Sequence, residues 1–390
     1  MNGRERVRRA IEHDHPDRVP FDDIWPWQSD VFYVAGLTPR SWQPPAGMFP
    51  QVEAMMLQYG MWRWKAYDPA MFPNGKRLRR WWQGAGMAEE TWETVDEWGA
   101  YWNHVVRDPS VGHPGRPRIE TWDQLDDIQV PNAKDPARFW VFKRLMKLFP
   151  RKYKLMVLDH FIFERTHFYR GFTNVLVDMR RNPDPLKALI QKVTQFWLDA
   201  VEVAADLKVD GITVPDDLGD QKKTFMSPAM FRDFWLEPYT QVIHACHDHG
   251  LHFELHSCGA INNFVPMLVE AGVDVLQFDS PHMTGIDFQA EFADRVTFKN
   301  VVDIQKVYPF AKPEQVELEV KRMIAKLATH DGGLIGREYV DSHRVLRVPT
   351  DNIRAQRLAY EKWGYYPLKW VDKFLMTCDA PEEEVFKVVP

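Results

Sequence analysis

VDGITVPDDLGDQKKTFMSPAMFRDFWLEPYTQVIHACHDHGLHFELHSCG (residues 209–259) holds two short apolar runs with one long helical pattern between them. The runs VDGITVP and LHFELHSCG are compact, mostly apolar and followed by polar residues, as buried strands are. Between them, SPAMFRDFWLEPYTQVIHACHDHG opens on Ser227 as a cap with Pro228 in the first helical position, and it closes on Gly250. Strand, helix and strand in that order form a βα unit of a parallel sheet.

The same rhythm continues outward. Upstream, KLMVLDH (154–160) reads as a strand, and NPDPLKALIQKVTQFWLDAVEVAADL (182–207) has the apolar spacing of an amphipathic helix with proline near its start. Downstream come helix INNFVPMLVEAG (261–272), strands VDVLQFD (273–279) and VTFKNVV (296–302), and helix PEQVELEVKRMIAKLATHDGG (313–333). Strand GLIG (333–336) and helix PTDNIRAQRLAYEKWGYY (349–366) close the series, and RVPFDDI (18–24) opens it. Residues 30–150, rich in Trp, Pro and Gly, break it and read as an irregular, partly helical cap inserted over the mouth of a barrel. The count, at least seven strands separated by helices, predicts a single (β/α)8 TIM-type barrel over residues 1–390, with a doubly wound open sheet as the alternative. Neither GxGxxG nor GxxxxGK[ST] follows a strand, which removes the usual reason to expect the open nucleotide-binding sheet.

Composition bounds the function. With 390 residues and 45% hydrophobic ones the chain can bury a full core. A net charge of −6 with no basic block gives no reason to expect nucleic acid. The charged N-terminus lacks the apolar centre of a signal peptide and no long apolar run suggests a membrane span, so a cytoplasmic location is expected. Three cysteines, Cys246, Cys258 and Cys378, make a disulfide framework improbable; each thiol reads as buried or as a ligand. The 16 tryptophans read first as core, although aromatics also line apolar pockets.

In a barrel the chemistry collects at the carboxyl ends of the strands. There the chain places Asp216, Asp217 and Gln221 after one strand, His256 and Cys258 after the next, and Gln277, Asp279 and His282 after the third. Glu338, Asp341 and His343 follow the last. Side chains alternate along a strand, so His256 and Cys258 point the same way and can reach one ion. Imidazole and thiolate suit zinc, whose catalytic sites take three protein ligands and keep a place for substrate. The third ligand is expected beyond the last strand, at Glu338 or His343. The plainer reading makes Cys258 a small buried hydrophobe and His256 a hydrogen-bonded core residue. Asp217 or Asp216 reads either as a general base or substrate contact, with Gln221 beside them, or as a turn and capping aspartate next to Pro215 and Gly219. Glu254, of the same strand parity as the pair, is either a supporting carboxylate or a paired residue deeper in the barrel.

GRERVRRAIEHDHPDRVPF (3–21), DGITVPDDLGDQKKTFMSPAMFRDFWLEPY (210–239), LHSCG (255–259), GVDVLQFD (272–279) and VPTDNIRAQRLAYEKWGYY (348–366), in that order, resemble the uroporphyrinogen decarboxylase superfamily over nearly the whole chain. Within it the pattern is more similar to the cobalamin-dependent methyltransferase branch. The decarboxylases carry an arginine-rich RQAGR segment soon after the first strand; here that place reads DDIWPWQSD (22–30), without arginine, which argues against a tetrapyrrole polycarboxylate. The methyltransferases bind zinc through an HxC pair and a later cysteine near the last strand. His256 and Cys258 match the pair, and EYVDSHRVL (338–346) has no cysteine, so the resemblance implies a changed ligand set. A carboxylate or second imidazole is harder than thiolate and suits an oxygen substrate, which favours demethylation of a methoxylated, aromatic included, compound. Trp25, Gln277, Asp279 and His282 are the expected substrate contacts. No DxHxxG cobalamin motif is present, since HDHGLHF (247–253) resembles it only superficially, so cobalamin is expected on a separate corrinoid protein. The competing readings are a decarboxylase or lyase using the aspartates, and a non-catalytic barrel that binds a ligand.

Overall fold

A computed structural model of the 390-residue chain describes residues 1–36, 76–78, 91–105, 113–339, 342 and 346–377. Eight parallel strands build the main sheet: β1 (Phe21–Asp22), β2 (Val31–Ala35), β3 (Tyr153–Val157), β4 (Gly211–Pro215), β5 (His252–His256), β6 (Val275–Phe278), β7 (Thr297–Asn300) and β8 (Leu334–Arg337). Their order in space is β1-β8-β7-β6-β5-β4-β3-β2, so each strand lies beside its neighbour in sequence. The two ends of that order meet where the Asp30 N–H donates to the Phe21 carbonyl at 2.9 Å and the Phe21 N–H donates to the Asp30 carboxylate at 3.1 Å. The sheet is thus a nearly closed (β/α)8 barrel.

Helix α1 (Gly3–Ile11) stoppers its amino-terminal end. Val7 and Ile11 pack against Val31, Leu155, Val275 and Ile335, which make an apolar floor. Buried Arg6 fastens this helix by donating to Asp17 at 2.6 Å and Asp30 at 2.7 Å. On the outside, α2 (Ile162–Arg170), α3 (Pro183–Leu207), α4 (Glu237–Asp248), α5 (Pro313–Leu327) and α6 (Thr350–Trp363) cover the wall. In α3, Leu186, Leu189, Ile190, Val193, Trp197, Ala200, Val201 and Ala204 recur every three or four residues and are all buried, which is why so long an amphipathic pattern lies flat on the sheet. Burying each large member contributes about 1.5–3 kcal/mol.

The span read as an irregular cap, 30–150, contains a barrel strand: VFYVA is β2, pairing from Val31↔Tyr153 to Ala35↔Val157. Its five residues are followed by no helical pattern, so nothing in the rhythm marks it. The described part of the remainder includes a separate antiparallel sheet of Lys76–Leu78, Thr91–Val95, Tyr101–Val105 and His113–Pro114. Its turn is locked to the carboxyl end of β3 by buried charge. Arg165 donates to Asp96 at 2.5 Å and to Asp159, the Trp98 indole N–H donates to Asp159, and Arg138 holds Glu97 with two bonds of 2.8 and 2.7 Å. None of the described helices is long and apolar enough to cross a membrane.

Candidate metal centre and active site

The interior of the barrel changes character from floor to mouth. Above the apolar floor, Lys299 of β7 is fully buried and lies 2.7 Å from Asp22 of β1 and 3.1 Å from Glu254 of β5, while it also donates to the Tyr33 hydroxyl at 3.0 Å. Thr213 of β4 donates to Glu254 at 2.9 Å. Glu254 is therefore the paired residue below the mouth, one of its two expected places.

At the mouth, the loops after β4 and β5 are stitched together. The Asp216 N–H donates to the His256 carbonyl at 2.9 Å, the Leu218 N–H to Ser257 Oγ at 3.1 Å, the Ala260 N–H to the Asp220 carbonyl at 2.7 Å, and the Cys258 N–H to Asp217 Oδ1 at 2.7 Å. Gly259 makes the close approach possible. Its φ is +88°, and a Cβ there would lie 2.2 Å from the Gly219 carbonyl oxygen. The sequence LHSCG thus ends in glycine because the two loops touch at that point.

The stitching brings Asp217, His256 and Cys258 together, with one donor atom of each within 4.8 Å of the others. Cys258 Sγ is 3.5 Å from His256 Nε2, and that nitrogen is 3.7 Å from Asp217 Oδ1. Donors about 2.0–2.3 Å from a tetrahedral zinc stand roughly 3.3–3.8 Å apart, so these spacings fit the ion. The imidazole is also prepared for it. Gln277 Nε2 donates to Asp279 Oδ1 at 2.8 Å, which fixes the amide with its oxygen towards His256; that oxygen accepts the Nδ1 proton and leaves Nε2 as a lone pair. Burial first, then the carboxylates of Asp217, Asp279 and Glu164, push the Cys258 thiol well above the ordinary range. A cation at the centre would relieve this opposition. The three donors, with two anionic when the thiol is ionised, match a divalent ion.

Asp216 and Asp217, adjacent in sequence, have opposite fates. Asp217 is partly exposed at the mouth. Asp216 is fully buried and accepts the N–H of Phe163 at 2.9 Å, the N–H of Glu164 at 2.7 Å and the Tyr239 hydroxyl, capping the start of α2 from another strand. Burial pushes its carboxyl up to about 7. Glu164, not singled out in the sequence, lies in the field of both aspartates; burial and then Asp217 and Asp216 raise it well above the carboxylate range. It follows no strand directly, so no position in the strand pattern identified it.

Residues 166–336 match the family model described as uroporphyrinogen decarboxylase (URO-D). Among solved structures, a methyltransferase from Methanosarcina mazei shares the fold at 13% identity and a TM-score of 0.58, over 93% of this chain and 99% of that one. A D-allulose 3-epimerase from Methylomonas sp. is 17% identical over 59% of this chain and 84% of its own, with a TM-score of 0.39. No curated protein sequence matches.

Of the two residues expected as the third ligand, Glu338 is not brought to the pair. Glu338 is buried against Arg357, whose guanidinium lies 3.2 Å from it and 2.5 Å from Asp23. Its side chain leaves β8 on the helix side, because Arg337 before it takes the inward position. Burial and then Asp23 push Glu338 up to about 7. His343 and Asp341 lie outside the described residues, as does Cys378. Gln221 is exposed in the turn after Asp217. Of the expected substrate contacts, Gln277 and Asp279 stand behind His256 in the hydrogen-bond chain, and His282 Nδ1 lies 3.1 Å from Asp303. Trp25 is 41% exposed and stacks on Trp27 at 5.2 Å.

Proposed function

We propose that this protein is a zinc-dependent methyltransferase that demethylates a methoxylated compound, aromatic ones included, and passes the methyl group to a separate corrinoid protein. The observation that carries the reading is the meeting of Asp217, His256 and Cys258 on stitched loops at the carboxyl ends of two strands, with the His256 tautomer set by Gln277. These three residues would hold zinc and leave one position of a tetrahedron for substrate. Zinc there would supply Lewis acidity, drawing electron density from the methoxyl oxygen so that the carbon–oxygen bond breaks with its pair on oxygen.

The chain's own part is positional. Gln277 and Asp279 keep the imidazole in the tautomer that offers Nε2, the Cys258 N–H keeps the Asp217 carboxylate turned towards the centre, and Gly259 keeps the two loops in register. Replacing a second thiolate by the Asp217 carboxylate hardens the donor set, which favours oxygen over sulfur as the atom bound. The fold likeness to the Methanosarcina mazei methyltransferase is compatible with this reading. The test is methyl transfer from methoxylated compounds to a reduced corrinoid, followed by its visible spectrum with zinc-loaded and zinc-stripped protein. Equal rates from both preparations would exclude the reading.

A further inference from the structure

The buried arginines of the described barrel have carboxylate partners: Arg6 holds Asp17 and Asp30, Arg138 holds Glu97, Arg165 holds Asp96 and Asp159, and Arg170 holds Asp178. Arg337 departs from this. It is the last residue of β8, two beyond the floor residue Ile335 and so of the same inward parity, and it pairs in register with Asp22 across the β1–β8 seam. Its side chain is half-buried. Among the described residues no carboxylate lies within 4.0 Å of its guanidinium, and none of its N–H groups finds an acceptor. The groups whose charge it feels are Tyr33, Asp279, Asp22 and Glu254. Each has another partner. Lys299 holds Asp22 and Glu254 and is bonded to Tyr33, and Asp279 accepts from Gln277.

An arginine in the mouth of a barrel is a poor choice for stability alone, since a hydrophobic residue of similar volume would pack there without loss of hydration. What it offers is a planar fork of donors with no protein acceptor, at the end of the strand where barrel enzymes hold their ligands. β8 stands three strands from β5, about 14 Å along the wall. Inward side chains from both sides shorten that gap to the dimension of a small ring-bearing acid. A single unfilled guanidinium matches a monoanion of planar geometry, because the neighbouring cation Lys299 is already held by two carboxylates and is not free for a second charge.

Resting on the methyltransferase reading, we infer that Arg337 anchors a substrate carboxylate, so that the methoxylated compound is a carboxylic acid with its anionic end at β8 and its ether end towards Asp217, His256 and Cys258. This reverses the usual distribution of cations expected near the first strand, where DDIWPWQSD has none, and places the anion contact on the last.

The test titrates the zinc-loaded full chain calorimetrically with ortho-, meta- and para-methoxybenzoate and with the matching neutral benzamides. At least one acid should bind about tenfold or more tightly than its amide, the preference should disappear in Arg337→Gln and persist in part in Arg337→Lys, and zinc content should stay unchanged. If no acid is preferred by the parent protein, or if Arg337→Gln keeps the preference, the anchor is refuted. The comparison of acid with amide in the parent chain decides the matter even if the glutamine variant fails to fold. Tighter binding of the matching sulfonate or phosphate would overturn the choice of carboxylate. Methyl transfer to a reduced corrinoid, measured on the same compounds, separates the two claims: acid preference without any transfer sinks the methyltransferase reading and leaves the anchor, whereas transfer from acids and amides alike in both proteins does the opposite.

Discussion

Replacing Asp217 by asparagine separates metal binding from folding. The amide keeps an oxygen where Oδ1 now accepts the Cys258 N–H at 2.7 Å, so the loop contact survives as a neutral hydrogen bond. The change from a charged to a neutral acceptor costs about 1 kcal/mol, and in a domain of this size that lowers the melting temperature of metal-free protein by only about 1 °C. Zinc binding should suffer far more. Residues that merely orient a ligand are worth about 10–100-fold in affinity, and loss of an anionic ligand should therefore exceed roughly 100-fold. At a zinc concentration about 100 times the parent dissociation constant, the parent gains about 2.7 kcal/mol of stability from the ion and the variant gains well under 1 kcal/mol. Competition with a chromophoric chelator gives the affinity, and melts with and without EDTA give the linkage. An affinity within tenfold of the parent, or an EDTA-treated variant that melts as far below the parent as the zinc-treated one does, would show that Asp217 only ties the loops together.

Other expectations follow from the same geometry. Gln277→Leu should weaken zinc about 10–100-fold, read by the same competition, because His256 Nδ1 loses the acceptor that fixes its tautomer. Glu338→Gln should leave zinc content as it is, since Glu338 sits with Arg357 and Asp23. Because Glu338 titrates at about 7 in the fold against an ordinary 4.5, the folded chain holds the extra proton between those values, so this group's stabilisation is full below about 4.5 and lost as pH rises through about 7; melting curves from pH 5 to 8 should show the glutamine variant gaining on the parent. Lys299→Met should destabilise by about 3–5 kcal/mol in urea titrations, because it strands Asp22 and Glu254 in the interior; a loss under about 1 kcal/mol would mean that water reaches them. Gly259→Ala should reduce zinc occupancy, measured by metal analysis, more than it reduces secondary structure, as the loop bearing Cys258 must lift off Gly219.

The barrel was legible because most of its strands are apolar runs followed by long amphipathic helices, and α3 with its buried stripe is the clearest case. β2 was not, since VFYVA is followed in the sequence by no amphipathic helical pattern. The pair His256 and Cys258 could be read from strand parity alone. The third member of the cluster could not: Asp216 and Asp217 are identical in type and adjacent, and only the fold shows that one caps α2 from 52–53 residues away while the other faces the pair. The place of Glu338 just after β8 makes it a candidate third ligand, but the parity of that strand sends Arg337 inward and Glu338 towards Arg357. Counting alternation from Ile335 would have made that distinction in advance.

The most direct measurement is X-ray absorption at the zinc edge on the purified full-length protein, alone and after addition of a methoxylated substrate, paired with the rate of corrinoid methylation in the same samples. One zinc per chain with one sulfur and two or more nitrogen or oxygen neighbours, gaining or exchanging an oxygen neighbour with substrate and required for methylation, is the predicted result. A protein that methylates the corrinoid equally well without zinc, or a zinc shell that lacks sulfur, would contradict it.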